Sequence, residues 1–204
     1  MKILERQKIS EARPDWIPFE PMIQESKSPA GLMVVRGILQ KAEAENHNGR
    51  VYPRSTLERE IERYKKECVQ ERCALGAVDH PDSDEVKLEN ASHNVIDIWW
   101  DGNTVMGDVE ILTTPAGNIL QTLYENRIKL GISSRGTGTL TRRQDGTSIV
   151  EEDFRLAAFD FVSNPSTKGA FMKPLQESQQ SSPLKREQRI ESRLDEIIRN
   201  MSSL

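Results

Sequence analysis

Residues 130–138 read "LGISSRGTG", an extended stretch whose middle is given to Gly131, Ser133, Ser134, Arg135 and Gly136 instead of the β-branched residues that hold a sheet. Hydroxyls set between glycines suit either a loose edge strand or a strand where something approaches the backbone closely and a serine reacts. Alternation puts Leu130, Ile132 and Ser134 on one face and Gly131, Ser133, Arg135 and Thr137 on the other. The apolar pair marks the core side, so Ser134 points inward with it and Ser133 faces a cleft or solvent. If either serine is a nucleophile, Ser133 is the better candidate, though exposed serines are common in strands that do no chemistry.

A reactive serine needs a base, and the base an orienting group. Along residues 154–162, Phe154, Leu156, Ala158, Asp160 and Val162 share a face on which Asp160 is the single polar member, while Phe159 and Phe161 cover the other. A carboxylate in a strand buried on both sides must be hydrogen-bonded or paired. It is either a structural ion pair or the group that orients a histidine. His47 sits in a turn and reads as a surface residue. His93 begins a strand and reads as a satisfied structural histidine. His80, in "VDHP", lies in a loop after a helix, where reactive groups tend to collect. Triads are defined by geometry and not by chain order, so the order His80, Ser133, Asp160 excludes nothing.

The elements that must position these residues are partly readable. "GLMVVRGILQ" gives a strand, and "NHNGRVYP" an Asn-Gly turn with a short extended piece. Ser55 with Glu58 has the form of a capping box, and Leu57, Ile61, Tyr64 and Cys68 recur at helical spacing behind it. "AVDHPDSDEVKLEN" reads as a polar loop. "SHNVIDIWW" and "TVMGDVEIL" flank "DGN" as a hairpin, and Thr114 caps a helix with Pro115 at its first position. A second hairpin runs out along the serine strand, turns at "QDG" and returns through Asp160. This is a β-rich α+β domain over residues 30–173. Residues 1–29 hold four of the ten prolines and read as a flexible arm, and residues 174–204 as a polar linker and an amphipathic helix lined by Ile190, Leu194, Ile197, Ile198 and Met201.

Composition narrows the classes. A net charge of −4 with both signs interspersed offers no nucleic-acid face. "VIDIWW" is too short to span a bilayer, and the charged N-terminal stretch is no secretory signal. Cys68 and Cys73 read as reduced thiols in a cytosolic setting, and with three scattered histidines they make too few ligands for zinc. No metal or cofactor is expected.

Five motifs, "NGRVYP" (48–53), "ALGAVDHP" (74–81), "IDIWWDGN" (96–103), "GISSRG" (131–136) and "FDFVSNPS" (159–166), stand in an order and spacing that resemble the prohead (procapsid maturation) proteases of large contractile-tailed bacteriophages, relatives of the herpesvirus assemblin proteases. The resemblance implies a β-barrel with helices packed around it, His80 as general base, Ser133 as nucleophile and Asp160 as third member. Backbone amides near residues 163–166, or around Arg135 and Gly136, would hold the oxyanion. It implies cleavage of phage scaffold and capsid proteins after Glu in (Leu/Ile)-x-Glu sites, in the host cytoplasm inside the assembling prohead. It also implies self-processing, since "ISE", "IQE" and "LQE" end at Glu11, Glu25 and Glu177, and Ser26 and Ser178 follow the last two. A homo-oligomer is left open. A catalytically silent scaffold or capsid-core protein, or a peptide-binding module of the same fold, is the alternative.

Overall fold

The computed structural model describes residues 22–23, 32–81 and 86–176. Runs rich in Val and Ile form one wall: β2 (Val34–Lys41), β5 (Ala91–Asp101) and β6 (Thr104–Ile111). The "DGN" turn joins β5 to β6, with Gly102 in the left-handed backbone (φ +56°) that a tight hairpin demands. Val95 and Ile98 are both fully buried although three residues apart, because the ladder slips between Val95 and Asp97 and one extra residue restores the inward direction.

β7 (Leu130–Thr137) pairs antiparallel with β10 (Arg155–Val162), and β11 (Phe171–Gln176) joins β7 to β2. A three-residue strand, β4 (Leu75–Ala77), lies on the far side of β5, completing the order β10-β7-β11-β2-β6-β5-β4. The two ends of that order then meet. Val78 bridges Phe161, and the Asp79 amide donates to the Phe161 carbonyl at 2.8 Å. The sheet is therefore a nearly closed barrel, which leaves little open edge. At the seam, a Cβ on Gly76 would lie 2.1 Å from the Phe159 carbonyl oxygen, so glycine is what lets β4 lie against β10.

Helix α1 (Arg54–Tyr64) buries Leu57, Ile61 and Tyr64, with Tyr64 edge-on to Phe159 at 5.6 Å. It continues as a π-helical turn to Val69. Glu60 and Arg63 of α1 take the backbone N–H and C=O of Leu156, where a bulge in β10 interrupts the ladder. Helix α2 (Pro115–Glu125) buries Leu120 and Tyr124, and Tyr124 meets Phe161. Phe159 and Phe161 thus anchor the two helices from one face of β10, while Asp160 points the other way.

The β-rich α+β reading and the barrel hold. Several local expectations need correction. α1 starts at Arg54 with Pro53 as N-cap and no side-chain cap; Glu43, from outside the helix, accepts from the Arg54 amide. Ser55 and Glu58 form no capping box, and Glu58 pairs with Arg54 instead. The second hairpin is split: β8 (Leu140–Arg142) and β9 (Ser148–Val150) leave the barrel and pair in a separate small sheet with β3 (Arg50–Val51). "LGA", whose Ala77 was read into the polar loop, is β4. β11 runs on to Gln176, past the boundary drawn at residue 173, and Met22–Ile23 (β1), inside the stretch read as arm, pair with Leu175 and Gln176. The amphipathic stretch from Ile190 to Met201 lies outside the described residues.

His93 is fully buried, its Nε2 2.9 Å from the Phe159 carbonyl and its Nδ1 2.8 Å from the Ser92 hydroxyl. Burial pushes its pKa down to about 4. The unfolded chain takes up that proton near pH ~6.5. Between those values the unfolded state binds more protons, so stability falls as pH falls through the window. The full loss is on the order of 3 kcal/mol. We expect the urea midpoint to drop from neutral pH towards the acid end of this window, and His93→Gln to flatten that slope. Equal slopes in the two proteins would exclude His93 as the source.

Candidate active site

The β7–β10 register sets Ser133 directly opposite Asp160. Directly paired residues point to the same side of a sheet, so hydroxyl and carboxylate emerge together. Two glycines flank them for reasons internal to the fold. A Cβ on Gly131 would strike Pro165, and one on Gly136 the Arg155 carbonyl and the Phe154 ring. Gly131 thereby lets the turn after β10 close over β7, which carries Ser166 to within 3.0 Å of the Ser133 Oγ. The same turn is tied from outside by His47, whose amide donates to the Ser166 carbonyl and whose Nδ1 lies 3.2 Å from the Pro165 carbonyl.

Ser134 points elsewhere. Its Oγ accepts from Gln40 Nε2 at 2.8 Å, and the Gln40 carbonyl accepts from Thr167, a buried polar chain set apart from the Ser133–Ser166 pair. The two serines do leave β7 in different directions, but Ser134, expected to point inward, is the more exposed of the two and also borders the pocket that holds Ser133. Ser133 is more enclosed than expected, at 3 % exposure.

Asp160 is fully buried and well supplied with donors. Oδ1 accepts from the Ala77 amide at 3.0 Å, and Oδ2 from Arg135 Nε at 2.7 Å and His80 Nδ1 at 2.8 Å. Burial alone would raise the Asp160 pKa. The hydrogen bonds from His80, Arg135 and Ala77, with the guanidinium charge, outweigh it and hold the carboxyl below its ordinary range. An ionised carboxylate only accepts, so Nδ1 carries the proton in this bond, and in the neutral imidazole Nε2 is the acceptor. His80 reaches Asp160 from the loop after β4, where Asp79 adopts a left-handed backbone (φ +60°), a conformation aspartate tolerates better than most residues.

His80, Ser133, Arg135, Gly136 and Ser166 line one pocket of about 220 Å³, with Asn46, Arg50 and Tyr52 on its other side. Asn46 Oδ1 accepts from the amides of Asn48 and Arg50 and so fixes that rim. Glu60, Asp108 and Glu110 are also buried acids paired with arginine, but their partners Arg63, Arg36 and Arg72 take no part in this pocket. The structure thus brings His80, Ser133 and Asp160 together, leaves His47 at the outer rim and keeps His93 in the core. Two contacts escaped the sequence reading: Arg135 on Asp160 and Ser166 on Ser133. The first had a signal, because Arg135 shares the face of Ser133.

A nearly closed barrel carrying a serine, a histidine and a buried aspartate around one cleft is the architecture of a hydrolytic enzyme. Residues 17–180 match the family described as prohead core protein serine protease, and the chain belongs to that family. It is similar to the prohead core protein protease of Enterobacteria phage T4, 35% identical over 146 residues that span 70% of this chain and 68% of the phage T4 protein. Among solved structures it is similar to the bacteriophage T4 capsid assembly protease, gp21, with a TM-score of 0.60 and 33% identity, covering 63% of this chain and 80% of that one. The protein is a protease of this T4-like prohead type.

Proposed function

We propose that the protein is a serine endopeptidase that cleaves scaffold and capsid proteins inside the phage prohead during head maturation, cutting after Glu in (Leu/Ile)-x-Glu sites. One observation carries the reading: Asp160, buried and ionised, holds His80 by Nδ1 and stands directly across the ladder from Ser133, and His80 and Ser133 line one pocket. In the resting arrangement the Ser133 hydroxyl is bonded to Ser166. When a peptide enters, His80 Nε2 takes the Ser133 proton as Oγ attacks the scissile carbonyl, and returns it to the leaving amine as the C–N bond breaks. A water, deprotonated in the same way, then splits the acyl-enzyme and restores Ser133. Asp160 stabilises the imidazolium throughout without itself taking the proton. Arg135, Gly136 and Ser166 border the pocket, and amides near Arg135 and Gly136, or in the turn at residues 163–166, would receive the oxyanion. Incubating the purified chain with scaffold protein tests the proposal; fragments that appear with wild type and not with Ser133→Ala are the expected result.

Self-processing belongs to the same proposal. Glu11, Glu25, Ser26, Glu177 and Ser178 lie outside the described residues, but the strands leading to two of the cuts do not. Met22–Ile23 pair in parallel with Leu175 and Gln176, and Leu175 is buried. To place Glu177 at Ser133, the chain must draw Leu175 from its seat at a cost of about 1.5–3 kcal/mol. β1 is a two-residue strand attached only through β11 among the described strands, so less holds the first cut back. We expect active protein to trim between Glu25 and Ser26 first and between Glu177 and Ser178 later, leaving a core of residues 26–177 and releasing the C-terminal amphipathic stretch as a discarded scaffold-docking helix. Intact-mass measurement over time, beside Ser133→Ala, checks this. Unchanged mass in active protein, or the same trimming in both, refutes it.

A further inference from the structure

The carboxylate that orients the histidine is shared with an arginine. Arg135 Nε donates to the same Oδ2 that accepts from His80 Nδ1, at 2.7 Å and 2.8 Å, and Arg135 Nη2 reaches Oδ1 at 3.4 Å. Arg135 is itself nearly buried, and it lines the pocket two residues after Ser133 on the same face of β7. Such a fork on a carboxylate is directional as well as charged. The arrangement therefore does two things to one group. It fixes the plane of the Asp160 carboxylate, and it sets a positive charge against the negative charge that His80 meets. With Arg135 absent, the Ala77 amide and the imidazole would be the remaining partners described here for a buried anion. The cheapest way to satisfy that anion would be to keep a proton on the imidazole, which removes the base.

We infer that Arg135 is a positioning residue that holds Asp160 as an ionised, fixed acceptor while preventing it from locking His80 in the protonated state. The inference rests on the serine-protease reading above. The charged and titratable groups around His80 that bear on it are Asp160 from β10, Arg135 from β7, Arg50 from β3 across the pocket, and Asp79 beside it in the loop.

The test is the pH dependence of covalent labelling of Ser133 by a fluorophosphonate probe, in the full chain, for wild type, Arg135→Gln and Arg135→Lys. Arg135→Gln should move the acid limb of the labelling profile up by about one pH unit, as expected for removing a charge a few ångströms away. Arg135→Lys keeps the charge and loses the fork. It should hold the wild-type midpoint and lower the plateau rate by roughly tenfold. A limb that does not move in folded Arg135→Gln, or moves down, overturns the inference. If Arg135→Gln does not fold, Arg135→Lys decides alone: a wild-type plateau, or a shifted midpoint, overturns it. Absence of Ser133 labelling in wild type would instead overturn the protease reading on which the inference stands.

Discussion

Ser133→Ala is expected to abolish peptide cleavage and leave the barrel folded. Its Oγ has Ser166 as its hydrogen-bond partner, so losing it removes one partly buried bond while the chemistry loses its nucleophile. The expected fall in kcat is on the order of 10⁶, as for other serine nucleophiles. Ser134→Ala makes the contrast. It leaves Gln40 Nε2 without its acceptor in the interior, which costs about 1–3 kcal/mol of stability. Turnover should remain measurable and the melting temperature should drop. Full activity in Ser133→Ala would sink the assignment, and loss confined to Ser134→Ala would transfer the role to its neighbour.

His80→Ala and Asp160→Asn carry the second large effect. His80→Ala removes the base and should be nearly inactive. His47→Ala keeps the amide that bonds Ser166, and His93→Ala acts on the core near Phe159, so both should leave far more of the chemistry in place. Asp160→Asn presents an amide where Arg135 and His80 require acceptors, and kcat should fall by roughly 10⁴. Thermal stability should fall with it, because a buried arginine loses its counter-charge. Steady-state kinetics beside thermal melts separates the two effects. A folded, fully active Asp160→Asn protein would place the third member elsewhere.

The distribution of what could be read follows from range. Chemical anomalies are local, so an acid among phenylalanines and two serines among glycines stood out at once. Thr114 capping α2 is equally local, a side chain bonding an amide three residues on. The capping box at Ser55 failed because a distant residue, Glu43, takes the first amide of α1. β4 was missed because three residues carry no period, and its strand character comes from β5 and β10 on either side. That Arg135 shares the face of Ser133 is readable from alternation, but that this face meets Asp160 is hidden by register. In the β8–β9 ladder Leu140 faces Val150. Carrying that count inward would set Ser133 opposite Ala157 and turn Asp160 away from it. The break between the two ladders and the bulge before Ala158 supply the odd shift that brings Asp160 across from Ser133. No pattern in the turn announces that shift.

The same pairing has a consequence for how the site wears and drifts. Ser133 and Asp160 are cross-strand neighbours in one continuous ladder, so they behave as a single rigid part. A slip of one residue between the strands would turn one of the two side chains to the opposite face, whereas smaller displacements move them together. Amide exchange at these two positions should therefore report the opening of the whole barrel, whereas the chain around His80, held to the ladder by the Asp79–Phe161 bond, opens on its own terms.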